Sequence, residues 1–276
     1  MLIFDFNQVV IANLMEQIGS SKTAVEESLV RHMVLNTIRA NVKKFREYGE
    51  VIIACDNRTY WRREVFPFYK SNRKKNREAT GHDWTAIFDC MKKVREELKI
   101  NSPYKVLDVE GAEADDVIGV LCRTYGDSQK IMVLSSDKDF VQLQANPNIK
   151  QYSPTLKKFI TASNPITHLK ELIVRGDPGD GIPNILSADN CLAEGVRQKS
   201  ITQKFLNEVL AGNKSETLAR NWDRNEQLID LSKIPESISQ SIIDTYMNTK
   251  PANRQKFMNY LIVNRLKNLL EVMDEF

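Results

Sequence analysis

The 276-residue sequence predicts an α/β fold, with a mainly parallel sheet flanked by helices and a smaller all-helical C-terminal domain. Three observations carry this reading. Four short apolar runs punctuate the first part of the chain, stretches at helical spacing lie between them, and beyond Pro165 the strand-like runs stop.

The runs are LIFDF at the start, VIIAC from Val51, YKVLDV from Tyr104 and KIMVLSS from Lys130. Each is rich in β-branched and large apolar side chains and has the length of a strand. Between the first two, Val34, Ile38, Val42 and Phe45 recur at helical spacing. Trp84, Ile87, Phe88, Met91, Val94 and Leu98 do the same, on a segment entered through Asp83, a residue suited to an N-cap. Strands alternating with helices imply parallel pairing, with helices covering both faces of the sheet. The turn-forming stretch TASNP ends at Pro165 and sets the boundary, giving an α/β domain over 1–163 and a helical domain over 164–276. On the last helix, Ile262, Leu266, Leu269, Leu270 and Met273 form an apolar stripe, for which core packing is expected.

Composition excludes several classes. Hydrophobic residues at 42% and charged residues at 27% suit an ordinary water-soluble chain. No apolar stretch approaches the roughly 20 residues that span a bilayer, so membrane association is not expected. MLIFDF enters a strand without a basic leader or cleavage site, which makes a cytoplasmic setting the expectation. Cys55, Cys90, Cys122 and Cys191 are widely spaced and form no CxxC pair, so neither zinc nor a disulfide framework is indicated. His32, His82 and His168 sit in unrelated segments. A net charge of +3 is too small to announce nucleic-acid binding.

The distribution of charge is more informative. Each predicted strand ends in or is followed by carboxylates: Asp5, then Asp56, then Glu113, Asp115 and Asp116, then Asp137 and Asp139. In an open parallel sheet, ligands bind at the carboxyl ends of the strands, so these residues are expected at one edge. Glu113 and Asp116 share a helix face, and Asp137 and Asp139 share a side if strand geometry continues through SSDKD. A single Asp is usually a cap or a loop residue. A set of this size must protonate or recruit cations, because two carboxylates about 4 Å apart repel by roughly 4 kcal/mol at an effective dielectric near 20. All-oxygen ligation favours Mg²⁺, with Mn²⁺ able to substitute, and two such ions suit phosphodiester hydrolysis. Asp177 and Asp180 in RGDPGDGIP fit either a plain turn or a further metal site.

From Arg58 to Arg77 the chain carries eight Lys or Arg residues and one acid, Glu64, interleaved with Tyr60, Trp61, Phe66, Phe68 and Tyr69. Cations neutralise phosphates and aromatic faces stack on bases, so the segment suits single-stranded nucleic acid. A charge run alone is usually a solvated loop. This one follows Asp56 directly, which sets it above the expected acidic edge.

Four motifs, GAEADDVIGVL, SSDKDFVQL, GDPGDGIP and YWRREVFPFYKSNR, resemble those of the 5′ nuclease or flap endonuclease family in kind and order. That family includes the 5′ nuclease domain of bacterial DNA polymerase I. The tail, from WDRNEQLIDL through IPESISQSIIDTYMN to the closing DEF, looks most like its phage ribonuclease H branch. The resemblance implies a PIN-like nuclease fold and two metal sites. One lies near Asp5, Asp56, Glu113, Asp115 and Asp116, the other near Asp137, Asp139, Asp177 and Asp180. It implies that Lys70 and Arg73 contact the scissile phosphate, with Asp115 and Asp137 also catalytic. Arg58, Arg62, Tyr69 and Lys74 would support the nucleic acid, and residues 57–83 would form an arch or flexible bridge for the 5′ strand. The helical domain would bind DNA and contribute Asp177 and Asp180.

The implied activity is 5′-to-3′ exonuclease and flap endonuclease cleavage of RNA·DNA, duplex or flap substrates, with removal of lagging-strand primers as the role. A single-stranded-DNA-binding protein and a sliding clamp would be partners of a monomer, in the host cytoplasm if the chain is phage-encoded. GIPNILSADN lacks the repeated glycines with which many relatives grip duplex backbone, and the chain starts at its first strand, without an N-terminal extension for clamp contact. Two other readings compete. A phosphatase with an Asp nucleophile would want a second Asp where LIFDFN has Asn7. A non-catalytic binder of branched DNA gains nothing from concentrated carboxylates.

Overall fold

A computed structural model describes residues 1–19, 25–212 and 216–276. The chain runs β1 (Leu2–Asp5), α1 (Phe6–Ile18), α2 (Glu27–Lys44), β2 (Val51–Cys55), the short helices α3 (Arg62–Val65) and α4 (Arg73–Glu78), then α5 (Trp84–Asn101) and β3 (Lys105–Asp108). Next come α6 (Ala114–Tyr125), β4 (Ile131–Leu134), β5 (Ile149–Ser153) and β6 (Lys158–Ile160). The rest is helical or irregular: α7 (Pro165–Arg175), α8 (Cys191–Glu194), α9 (Gln203–Leu210), α10 (Glu216–Ile229), α11 (Glu236–Asn248), α12 (Arg254–Val263) and α13 (Lys267–Leu270).

The strands form one sheet in the order β3-β2-β1-β4-β5-β6, with β6 antiparallel to β5 and the other pairings parallel. Successive strand residues face opposite sides, and both sides are covered, which is why β1 reads as a continuous apolar run. Leu2 and Phe4 join a core with α1, α2 and α5, whereas Met1 and Ile3 join one with α6. Two strands lie beyond the four that the sequence predicts. IKQYS reads as polar, yet Gln151 and Ser153 of β5 are buried. Gln151 Nε2 is satisfied there, donating to the carbonyls of Ser135 at 3.0 Å and Asp137 at 2.6 Å.

The helical region divides in its packing. Residues of α7, α9 and α10 build a third core together with Phe66 and Tyr69 from the basic segment. In contrast, Ile242 and Tyr246 of α11 pack on one face of the sheet, and Phe257, Tyr260 and Leu261 of α12 pack on the other. The expected single terminal helix is replaced by α12, α13 and a closing 3-10 turn. Ile262 is 52% exposed, and Arg265 takes a left-handed backbone with φ 55° that ends the run, while Leu266 and Leu269 are buried. No described helix is long and apolar enough to cross a membrane.

Candidate active site

Strand order reverses between β1 and β4, and the crevice at the carboxyl ends of such strands is where open α/β sheets place ligands. Asp5 stands at this point. It caps α1 by accepting from Gln8 N at 3.2 Å, and its Oδ2 accepts from the Ser135 hydroxyl at 2.8 Å, across from β4. Beyond β2, Asp56 accepts from Asn7 Nδ2 at 2.6 Å and from Ala114 N at 2.9 Å, which ties the strand end to the start of α6. Glu113 is the N-cap of α6 in a reciprocal capping box, in which Asp116 Oδ2 accepts from Glu113 N at 2.9 Å.

Burial, joined by mutual repulsion, makes several of these groups poor anions. The Asp5 carboxyl is pushed up to about 7 by burial first and by Asp56 next. Asp115 lies well above the usual range through burial and the charges of Asp137 and Asp5, and Asp139 does so through burial and Asp137. Asp139 Oδ1 is buried without a hydrogen-bond partner. This all-oxygen donor set fits a hard divalent cation, which would offset the repulsion that protonation otherwise relieves. Among the described residues, no three such side chains close on one point.

The sequence expectation that Asp137 and Asp139 share one side of an extended strand fails. β4 ends at Leu134, and Asp137 instead caps a 3-10 helix by accepting from Asp139 N at 2.9 Å.

Lys70 and Arg73 rise beside these acids. Lys70 takes a left-handed backbone with φ 56°, held by its N–H donating to Asp180 O at 2.7 Å. Its ammonium donates to Glu113 and lies 3.6 Å from Asp180 Oδ2. Arg73 pairs with Asp180 and donates to Gly179 O at 3.2 Å, while Asn72 Nδ2 donates to Pro178 O at 2.6 Å. The GDPGDG loop is therefore the dock of the basic segment. Gly181, at φ 72°, lets Phe68 O approach to 2.7 Å of where a Cβ would stand.

Asp177 Oδ1 accepts from Gly179 N, and its Oδ2 lies 3.0 Å from Lys138 Nζ. Burial opposes the charge of Asp180, but Lys70 and Arg73 hold its carboxyl below the usual range. Both acids thus pair with lysine or arginine.

The expectations for Arg62, Tyr69, Trp61 and Phe66 in the basic segment are corrected. Arg62 is 2% exposed and cannot reach a strand in solvent. Its guanidinium pairs with Glu113 at 3.0 Å and Asp116 at 2.8 Å and donates to Leu228 O at 2.8 Å. Tyr69 is buried too, its hydroxyl donating toward Glu113 at 3.0 Å and Asp180 at 2.9 Å. Trp61, Phe66 and Tyr69 are core residues, because the segment needs apolar anchors of its own to stay docked. Lys74 is exposed and 4.0 Å from Glu78, one turn along α4.

A cleft of about 980 Å³ opens above the acids. Asp5, Asp56, Glu113, Asp115 and Asp137 line it together with Arg58, Arg63, Lys70, Arg73, Arg77 and Arg95. Sequence reasoning missed Ser135, Arg95 and the role of Asn7. Arg95 Nη1 donates to Asp56 O at 2.9 Å, and its only sequence signal is a cation in the helix before β3. Asn7 orients Asp56, a use that its identity alone does not disclose.

Residues 10–171 match the family described as 5′-3′ exonuclease, N-terminal resolvase-like domain. The chain belongs to the 5′-3′ exonuclease family. Residues 163–276 of this family member match a second description, T4 RNase H, C terminal. Ribonuclease H of Enterobacteria phage T4 is 32% identical over 291 residues, covering 99% of this chain and 95% of that protein. Flap endonuclease Xni of Shewanella woodyi is 32% identical over 152 residues, which is 51% of this chain and 56% of that one. The D15 flap endonuclease of phage T5, in a complex with DNA and metal ions, shares the fold with a TM-score of 0.62 at 17% identity, covering 90% of this chain and 99% of that one. A 5′-3′ exonuclease family member is a nuclease by class, which removes the phosphatase reading. Asn7 had already argued against it.

Proposed function

We propose that this 5′-3′ exonuclease family member is a Mg²⁺-dependent 5′ nuclease, cutting RNA or DNA at the 5′ ends of RNA·DNA, duplex and flap structures. One observation carries the reading: carboxylates, several of them buried and mutually repelling, line one cleft together with lysine and arginine side chains. Repelling acids favour divalent cations, and the lysine and arginine side chains among them favour a phosphodiester. Asp5, Asp56, Asp115, Asp137 and Asp139 would hold two Mg²⁺, with Mn²⁺ able to substitute, and Glu113, Asp116, Asp177 and Asp180 stand next to them. When bound, Mg²⁺ supplies Lewis acidity toward water and phosphate oxygens.

The chain's own residues do the rest. Lys70 is kept protonated by Asp180 and Glu113 against the opposing effect of burial, so it is a fixed cation where phosphate charge develops. Arg73, 42% exposed at its side chain, can turn to a second phosphate oxygen. Arg62 and Tyr69 hold Glu113 and thereby set the position of Lys70. Arg58 is an exposed cation on the cleft lining, and Lys74 is an exposed cation suited to the strand outside the cleft. The helices from α7 onward supply the loop on which the basic segment rests, and they are the proposed DNA-binding side.

Primer removal by a monomer, beside a single-stranded-DNA-binding protein and a sliding clamp, is the role proposed from the resemblance. The test uses 5′-labelled flap, nicked duplex and RNA·DNA substrates, each with Mg²⁺ or chelator. Metal-dependent 5′ products are expected, and their absence from all three would leave a non-catalytic binder.

A further inference from the structure

Trp84 and Phe88 share the helical spacing of Ile87, Met91, Val94 and Leu98, but α5 does not bury the six alike. Ile87, Met91, Val94 and Leu98 are buried, whereas Trp84 and Phe88 are half-buried, packed on the core by one side and, with Met91, lining the cleft shared with Asp5 and Lys70. Four residues apart, the two rings lie on one helix face with centroids 5.7 Å apart and planes at 35°. Trp84 Nε1 donates to Thr80 Oγ1 at 2.8 Å, and Asp83 caps the helix by accepting from Ala86 N at 3.0 Å, so the rings sit on a fixed support. The Arg77 guanidinium lies 5.2 Å from the Phe88 ring centroid.

We infer that Trp84 and Phe88 form a stacking platform for an unpaired nucleobase of the strand held in the cleft. The inference rests on the nuclease reading above, because the strand is that substrate. An aromatic surface beside the cations of the cleft suits a ligand with a flat π face joined to an anion. Arg73, Arg77 and Lys92 line the same cleft and supply the cations for the phosphates, with Asp89 the acid among them. Of the aromatics that the sequence offered for this purpose, Trp61, Phe66 and Tyr69 are enclosed in the core, and Tyr60, which also lines the cleft, packs edge-on against Tyr69 with ring centroids 5.7 Å apart. Stacking is indifferent to base identity, so the platform positions a strand without reading its sequence.

The experiment measures Kd in chelator for two flaps, one with ordinary bases on the 5′ arm and one with an abasic arm. Wild type is expected to prefer the base-bearing arm by about tenfold. Trp84→Ala should abolish the preference and Trp84→Phe should retain most of it, whereas a merely structural role would weaken both arms alike. Trp61 and Trp222 are 5% and 8% exposed, so quenching of emission by the base-bearing arm should report Trp84 and vanish in Trp84→Phe. Should Trp84→Ala fail to fold, the wild-type preference and the quenching comparison still decide. Equal wild-type affinity for both arms, a preference unchanged in Trp84→Ala, or quenching unchanged in Trp84→Phe would each overturn the platform. Mg²⁺-dependent cleavage of the base-bearing flap separates the two readings. Cleavage without base preference removes the platform alone, and base preference without cleavage removes the nuclease reading alone.

Discussion

The Lys70 amide donates to the Asp180 carbonyl at 2.7 Å, and the Lys70 ammonium lies 3.6 Å from the Asp180 carboxylate. The left-handed backbone of Lys70 is thus fixed by the loop that also balances its charge. A cation held before substrate arrives costs little reorganisation when phosphate charge grows. Lys70→Ala is expected to lower kcat by about 10²–10³-fold while KM changes little. Steady-state kinetics on a 5′ flap would test this, and a change confined to KM would make Lys70 a binding residue only.

Asp115 faces the charges of Asp137 and Asp5 without a hydrogen bond of its own among the described residues. Asp115→Asn should abolish cleavage, because it removes a proposed metal ligand. DNA affinity should be unchanged or stronger, since one repulsive charge is gone. Fluorescence anisotropy in chelator, paired with a cleavage assay in Mg²⁺, gives both numbers. Wild-type turnover would remove Asp115 from the metal site.

Arg62 stands between two carboxylates that are 1% and 0% exposed at their side chains, Glu113 and Asp116. Arg62→Met keeps much of the volume but leaves both acids without their guanidinium, and a loss of about 3–5 kcal/mol is expected. Urea unfolding followed by circular dichroism would measure it. A loss below about 1 kcal/mol would mean that the pair behaves like one at the surface.

The Asp5 carboxyl titrates at about 7 in the fold, against 3.8 as its ordinary value. Between these values the folded state holds a proton that the unfolded chain has released. The stabilising contribution is therefore full below about 3.8 and is lost as pH rises through about 7. In chelator, Tm should fall across this window. Added Mg²⁺ should raise Tm more at pH 8 than at pH 5, because binding to the folded state competes with the proton. A Mg²⁺ effect that is the same at both pH values would contradict the assignment of Asp5 to a metal site.

Legibility in the sequence followed periodicity. Four strands, α5 and its Asp83 cap were readable because alternation and helical spacing act over adjacent residues. β5 was not, since Gln151 is made suitable for burial by two carbonyls that only the folded sheet brings to it. The carboxylates were readable as a group because each follows a strand, and parallel strands end on one edge. Their present partners were not: Arg62 as the counter-ion of Glu113 and Asp116, or Lys138 as that of Asp177, depends on side-chain reach through space.

By itself, the sequence determined that an α/β sheet carries its acids at one edge beside a basic, aromatic segment, since these follow from local pattern and strand polarity. Tertiary structure decided which of those groups face the cleft. It buried Trp61, Phe66, Tyr69 and Arg62, because a docked segment needs an apolar anchor and buried carboxylates need a cation. It left Trp84 and Phe88 half-buried, packed on the core and also lining the cleft, because charge and aromaticity do not encode direction.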